Sequence, residues 1–196
     1  KRDLWTNMAD AFGSAANYLQ RSGWDHTYTW GREVSLPKGF DYSLASINEK
    51  RKLSSWSKLG IKRIDGRDLP NEDIYGSIII PSGHKGPAFL VYKNFNTILK
   101  WNRSIFYAIA IGHLADRIAG SNGLTVMPPS SQVLLSSNDT KEIQAHLSRL
   151  GFNPGKLDGL IGEKTRNAIR SFQSSKGIPS DAHPSFDLLE LLRESK

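Results

Sequence analysis

The sequence predicts an α+β chain: a mainly helical first part with a small β-containing insertion, followed by a C-terminal three-helix module. Three observations predict it. Apolar residues recur at helical spacing near the start, over Met8–Gln20. Between about residues 30 and 100 the pattern changes to short alternating or β-branched runs closed by Pro and Gly. Beyond residue 138 three amphipathic stripes follow one another closely enough to form a bundle.

The first helix is justified by Met8, Phe12, Ala15, Ala16 and Leu19, which share one face, with Gly23 as its stop and Tyr18 at the flank of the apolar stripe. In the insertion, Arg32–Leu36 alternates until Pro37 breaks it. Ser77–Ile80 is β-branched and closed by Pro81-Ser82-Gly83, and Ala88–Tyr92 is a further apolar run. These read as strands of one or two short sheets, with a helical stretch around Leu44–Leu59 between them. Asn102–Ala119 is helical and apolar on nearly all sides, the pattern of a helix buried from every direction. Residues 121–137, with Gly123, Pro128-Pro129, Ser130, Ser131, Ser136 and Ser137, read as a linker. The module, 138–196, then carries Ile143, Leu147 and Leu150 on a first helix, and Thr165, Ala168, Ile169 and Phe172 on a second. A third holds Leu188, Leu189 and Leu192, with Ser185 as its N-cap.

Composition narrows the function classes. No stretch reaches the roughly 18 apolar residues of a membrane span; the most apolar, Ser104–Ile118, contains His113 and Asp116. Lys1-Arg2-Asp3 leads into Leu4-Trp5 without the apolar core of a signal peptide, and no Met opens the chain, so the start reads as a processing or fragment boundary. The chain has no cysteine, which excludes disulfides, thiolate metal sites and Cys nucleophiles. The net charge of +7 raises nucleic acid as a partner. The module holds almost none of that charge, and elsewhere it is scattered apart from Lys50-Arg51-Lys52 and Lys62-Arg63. A solvated basic surface accounts for it, and no nucleic acid is expected.

The most specific local motif runs from Leu157 to Gln173. Asp158-Gly159 is a tight-turn pair. Gly162 is expected to permit a positive φ or a close approach before the helix. Thr165, Ala168 and Phe172 stripe that helix, and Gln173 ends the motif. The pattern D-G-x-x-G-x-x-T-x-x-A-I-x-x-F-Q, with Ile143-Gln144, Leu147 and Leu150-Gly151-Phe152 upstream, resembles the three-helix peptidoglycan-binding domain. Asp158, Gly159, Gly162, Thr165, Phe172 and Gln173 define that module and are expected to build it rather than to touch its ligand.

A second resemblance covers roughly residues 3 to 120. Asp3-Leu4-Trp5, Asp10-Ala11, Ala15-Ala16-Asn17-Tyr18-Leu19, Gly23-Trp24, Trp30-Gly31-Arg32-Glu33-Val34, Gly86-Pro87-Ala88-Phe89-Leu90, Asn94-Phe95 and Ile98–Ser104 follow in order, then Phe106–Ile111. Together they resemble the C-terminal half of the lytic murein transglycosylase B family. That resemblance implies a lysozyme-like helical portion at 1–120, with the α+β insertion at about 30–100. It also implies the chemistry: cleavage of the β-1,4 bond between N-acetylmuramic acid and N-acetylglucosamine. One glutamic acid protonates the leaving oxygen, then acts as base while the muramyl 6-hydroxyl closes a 1,6-anhydro ring. The state traversed is oxocarbenium-like, with an internal nucleophile in place of water.

In the family that glutamate precedes the D-L-W segment and a G-x-G-Q-F-M-P-S stretch follows it; neither occurs here. No residue of this chain is therefore expected to be catalytic, and Glu33 reads as a strand residue. What the resemblance carries over is a set of substrate-binding residues: Tyr18, Asn102 and Tyr107, with Trp101 where the family more often has Tyr. Some members bind calcium through an Asp-rich loop before D-L-W. Asp3 and Asp10 alone do not make such a loop, His26, His84, His113, His146 and His183 have no ligand spacing, and neither metal nor cofactor is expected. The implied partner is the glycan strand of peptidoglycan, in the periplasm or cell envelope, with membrane association only through an N-terminal anchor upstream. The alternative is a non-catalytic peptidoglycan-binding envelope protein using the groove remnant and the module to hold glycan.

Overall fold

The computed structural model describes residues 3–129 and 134–195. Ser130 and Ser131 of the expected linker lie outside them. The chain forms two compact units. One comprises Lys1–Pro37, Ile47–Ile79 and Phe89–Leu124; the other comprises Lys38–Ser46, Ile80–Ala88 and Thr125–Lys196.

The first unit opens with α1 (Met8–Arg21), where the Asn7 side chain caps the Asp10 amide. Asp3 and Asp10 are both engaged in this entry turn. Asp10 accepts from the Asp3 amide, and Asp3 accepts from the amides of Trp5 and Thr6 and from the Thr6 hydroxyl. No residue of α1 is buried; Phe12 on its apolar stripe is 67% exposed.

The insertion forms a single five-stranded sheet, in the order β2-β4-β5-β1-β3. Its strands are β1 (Gly31–Ser35), β2 (Arg51–Lys52), β3 (Lys62–Arg63), β4 (Tyr75–Ile79) and β5 (Ala88–Val91). The β1–β3, β2–β4 and β4–β5 pairs are antiparallel. The three longer strands lie where alternation and β-branching predict them. The two-residue strands β2 and β3 are too short to carry a period of two, so nothing local signals them. The helix expected around Leu44–Leu59 is corrected. Only a 3-10 turn (Tyr42–Leu44) and α2 (Leu53–Lys58) are helical, because residues 51 and 52 pair with β4 instead.

A helix not anticipated, α3 (Lys93–Trp101), follows β5. Buried Asn94 locks its start to the segment between α1 and β1: its Oδ1 accepts from the Asp25 amide, and its Nδ2 donates to the carbonyls of Asp25 and Tyr28. Then comes α4 (Ile105–Ile118), capped by Ser104. The core joins Trp30, Ile79, Phe89, Val91, Phe95, Ile98 and Ala108. The expectation that the 102–119 helix is covered on every side is corrected. Only Ala108 and Gly112 of α4 are buried, while Phe106, Leu114 and Ile118 are exposed. Its packed face is the one with the smallest side chains, since close approach to Trp30 leaves no room for larger ones.

The second unit contains α5 (Ser137–Arg149), α6 (Glu163–Ser175) and α7 (Phe186–Glu194). Ile143, Leu147, Ala168, Ile169, Phe172, Leu188, Leu189 and Leu192 form its core, as the three stripes predict. Ser185 caps α7 through the Leu188 amide. Ser136 and Asp139 form a capping box at α5, so these last serines of the expected linker start a helix. No helix among the described residues is long and apolar enough to cross a membrane.

Candidate functional site

Four residues were expected to bind substrate, and the first unit brings two of their rings together. Tyr18, near the end of α1, meets Trp101, the last residue of α3, edge to face at 4.9 Å and 87°. The Tyr18 hydroxyl donates to the Lys100 carbonyl at 3.3 Å, and Lys100 Nζ donates to the Ser22 carbonyl at 2.6 Å. The C-terminal ends of α1 and α3 are thus laced by two hydrogen bonds and an aromatic contact worth about 0.5–1.5 kcal/mol. Tyr18 is 42% and Trp101 49% exposed. A half-exposed indole held in place by a second ring is a flat apolar platform of the kind that packs against a sugar face.

Asn102 follows at the α3 C-cap in extended conformation, exposed beside Trp101. Its Oδ1 accepts from the Ser104 amide at 2.9 Å, and Ser104 Oγ caps the Tyr107 amide. The Asn102-Arg103-Ser104 turn therefore joins α3 to α4, and the exposed Asn102 still has its amide nitrogen to donate. Tyr107 is half-buried and packs against the core cluster, so its ring supports α4 from inside. Glu33 is a half-buried residue of β1. Among the described residues no group of three His, Cys, Asp or Glu side chains gathers as a metal site.

In the second unit the Leu157–Gln173 motif closes on buried Gln144. Gln144 Nε2 donates to Asp158 Oδ1, the Leu160 carbonyl and Thr165 Oγ1, and its Oε1 accepts from the Gly159 amide. Thr165 in turn donates to the Pro154 carbonyl at 2.9 Å. Gly159 has φ +79, and a Cβ there would lie 2.7 Å from the Ser137 carbonyl oxygen. Gly162 is a correction: its φ is −86, and a Cβ would meet nothing within 4 Å. It serves as the α6 N-cap rather than as a strained turn. Phe172 is buried, edge-on to Phe152 at 5.8 Å.

Sequence reasoning missed a second polar knot. The Asp181 side chain is 3% exposed. Its oxygens accept from the amides of His84 and His183, from Gln173 Nε2, and from the His84 ring at 2.6 Å. Burial opposes its charge, but these donors outweigh burial and hold the carboxyl below its ordinary value. Gln173 Oε1 accepts from the Ala182 amide, and Lys85 pairs with Asp187 at 2.7 Å. The only local signal was Gln173 at the end of the motif; His84 lies 97 positions from Asp181.

Residues 1–116 match the family described as "Transglycosylase SLT domain", and residues 136–192 match the "Putative peptidoglycan binding domain". Two crystal structures of SltB3 from Pseudomonas aeruginosa, in complex with NAG-anhNAM-pentapeptide and with NAG-NAM-pentapeptide, are similar to this chain at TM-scores of 0.93 and 0.92. Both share 44% identity over 98% of this chain. The chain spans 52% of the length of SltB3. A search of curated proteins gave no match. With the family model covering residues 1–116, more than half of the chain, the chain belongs to the SLT transglycosylase domain family.

Proposed function

We propose that the chain supplies the glycan-holding part of a lytic murein transglycosylase acting in the periplasm or cell envelope. Such an enzyme cleaves the MurNAc–GlcNAc β-1,4 bond with formation of a 1,6-anhydro product. The observation that carries this is the 44% identity, over 98% of this chain, to a transglycosylase captured with NAG-anhNAM-pentapeptide. Trp101, steadied by Tyr18, offers a sugar platform; Asn102 offers an amide to acetamido or hydroxyl groups; Tyr107 backs the α3–α4 turn. The second unit adds affinity for the same polymer, so that two weak contacts on one chain raise overall retention.

Sedimentation with purified sacculi tests the holding role. The 196-residue chain is expected to pellet with them, and Trp101→Ala to shift it toward the supernatant, with a thermal midpoint lowered only by the few degrees that the loss of one half-exposed ring contact costs. An unbound wild type would refute the function. Mass spectrometry of the supernatant tests the chemistry. No residue here stands in the context of the family's acid, so this chain alone should release no 1,6-anhydro muropeptides. Their release would show that a carboxylate such as Glu33 acts as the acid.

A further inference from the structure

Resting on the peptidoglycan function proposed above, we infer that a cleft in the second unit holds a short peptide by its free carboxylate, with Arg170 as the anchor. The cleft is about 560 Å³ and lies between the 3-10 turn that carries Ser43, with Asp41 as its N-cap, and the face of α6 that carries Arg170, Ser171 and Ser174; the Asp41 carboxylate is turned to the Ser43 amide. Ser175 and Ser180 complete its lining. No aromatic ring lines it, so it lacks the platform a sugar face packs on. Its hydroxyls both donate and accept, which suits the alternating N–H and C=O groups of a peptide.

Three of the cleft's hydroxyls, on Ser43, Ser171 and Ser174, are left available for a ligand. Ser175 and Ser180 spend their hydroxyls on the carbonyls of Phe172 and Ile178. Among the described residues, the Ser43, Ser171 and Ser174 side chains make no hydrogen bond within the protein. The Arg170 guanidinium makes one, from Nη1 to Asn167 on its own helix at 3.0 Å. Its Nε is buried without a partner, and no carboxylate among the described residues forms an ion pair with it. That buried Nε is out of a ligand's reach, but the Nη groups keep donors to give a carboxylate, a charge-assisted pairing. Arg166, one turn earlier on α6, strengthens the preference for an anion. Burial first, and the nearby Arg170 charge second, press its guanidinium below its ordinary value. In a peptidoglycan-binding protein the peptide with free carboxylates is the stem peptide of the wall.

Calorimetric titration of the full 196-residue chain tests this with four probes: a synthetic muramyl pentapeptide, the same compound with its carboxylates amidated, an unrelated pentapeptide with a free C terminus, and the peptide-free GlcNAc–MurNAc disaccharide. The acid form should bind at least about tenfold more tightly than the amidated form, the scale of one charge-assisted contact. Arg170→Gln and, independently, Ser174→Glu should erase that preference while leaving disaccharide binding unchanged, with folding checked by circular dichroism. Equal affinity for acid and amidated forms, or a preference that survives both substitutions, overturns the cleft. Weaker binding of the unrelated peptide supports the wall stem as the source; equal binding overturns that assignment. Sedimentation separates the two levels. A wild type that ignores sacculi defeats the peptidoglycan function, whereas one that pellets but shows no carboxylate preference defeats only the cleft.

Discussion

Gly112 sets how closely α4 approaches the core. A Cβ there would lie 2.6 Å from Trp30 Cγ, and the same indole donates Nε1 to Asp116 at 2.9 Å one turn further along α4. Ala is the better helix former by about 1 kcal/mol, yet here packing outweighs propensity, because the methyl must displace a buried ring. Gly112→Ala is expected to destabilise by about 1–3 kcal/mol, measured by urea unfolding; a neutral or stabilising result would show that Trp30 moves freely. Asn94 acts at the same scale through polarity. Replacing it by Ala leaves the Asp25 amide and the Tyr28 carbonyl unpaired, while the Asp25 carbonyl keeps the Tyr28 amide, at a cost of about 1–3 kcal/mol for each group that water does not reach. Asp181 adds a pH dependence. Its carboxyl is held below the ordinary value in the folded state, so its contribution is complete above the unfolded pKa and is lost as pH falls through the folded one. The thermal midpoint should drop from pH 5 to pH 3, and Asp181→Asn should flatten that drop; an identical slope in the variant would assign it to other acids.

At the scale of elements, α1 and α4 share a property that sequence patterning hides. Both are apolar enough to be core helices, and both leave large side chains uncovered. Hydropathy reports what a helix is able to bury, not what lies beside it. Ile118 on α4 is 81% exposed and Ile98 on α3 is 4% exposed, though each reads as an apolar helix position. Ile118→Glu is therefore expected to shift stability by no more than about 0.5 kcal/mol, while Ile98→Ala costs about 2–5 kcal/mol. Chemical denaturation of the two variants side by side checks the contrast; a large loss from Ile118→Glu would mean that this face is covered in solution. The second unit behaves differently. Its stripes and the Ser185 cap were legible, because they are decided within a few residues of chain, whereas the Ser136–Asp139 capping box lay in what reads as linker.

At the scale of the whole molecule, the charge of +7 is spread along the chain apart from two short basic clusters. The basic clusters are answered locally: Arg51 by Glu49, Lys52 by Asp73, Lys62 by Asp68 and Arg63 by Asp65. Binding to a short DNA duplex is expected to be weak and to vanish with added salt; tight, salt-resistant binding by fluorescence anisotropy would contradict it.

The sequence by itself determined the α+β class, the three longer strands, the first helix and the three-helix module, since each rests on local periodicity, turn chemistry or capping. It also brought forward Tyr18, Trp101, Asn102 and Tyr107, through a family resemblance rather than through spacing. Only the tertiary structure decided which of these meet. Tyr18 and Trp101 touch because α1 and α3, far apart in the chain, are laced through Lys100, whereas Tyr107 turns inward to the core. It likewise decided that the two-residue strands β2 and β3 exist, that α4 packs on its smallest side chains, and that His84 reaches Asp181 across 97 residues. The physical reason is common to all of them. Each depends on partners brought together only by folding, and no local pattern of apolar and polar residues encodes the neighbour on the far side.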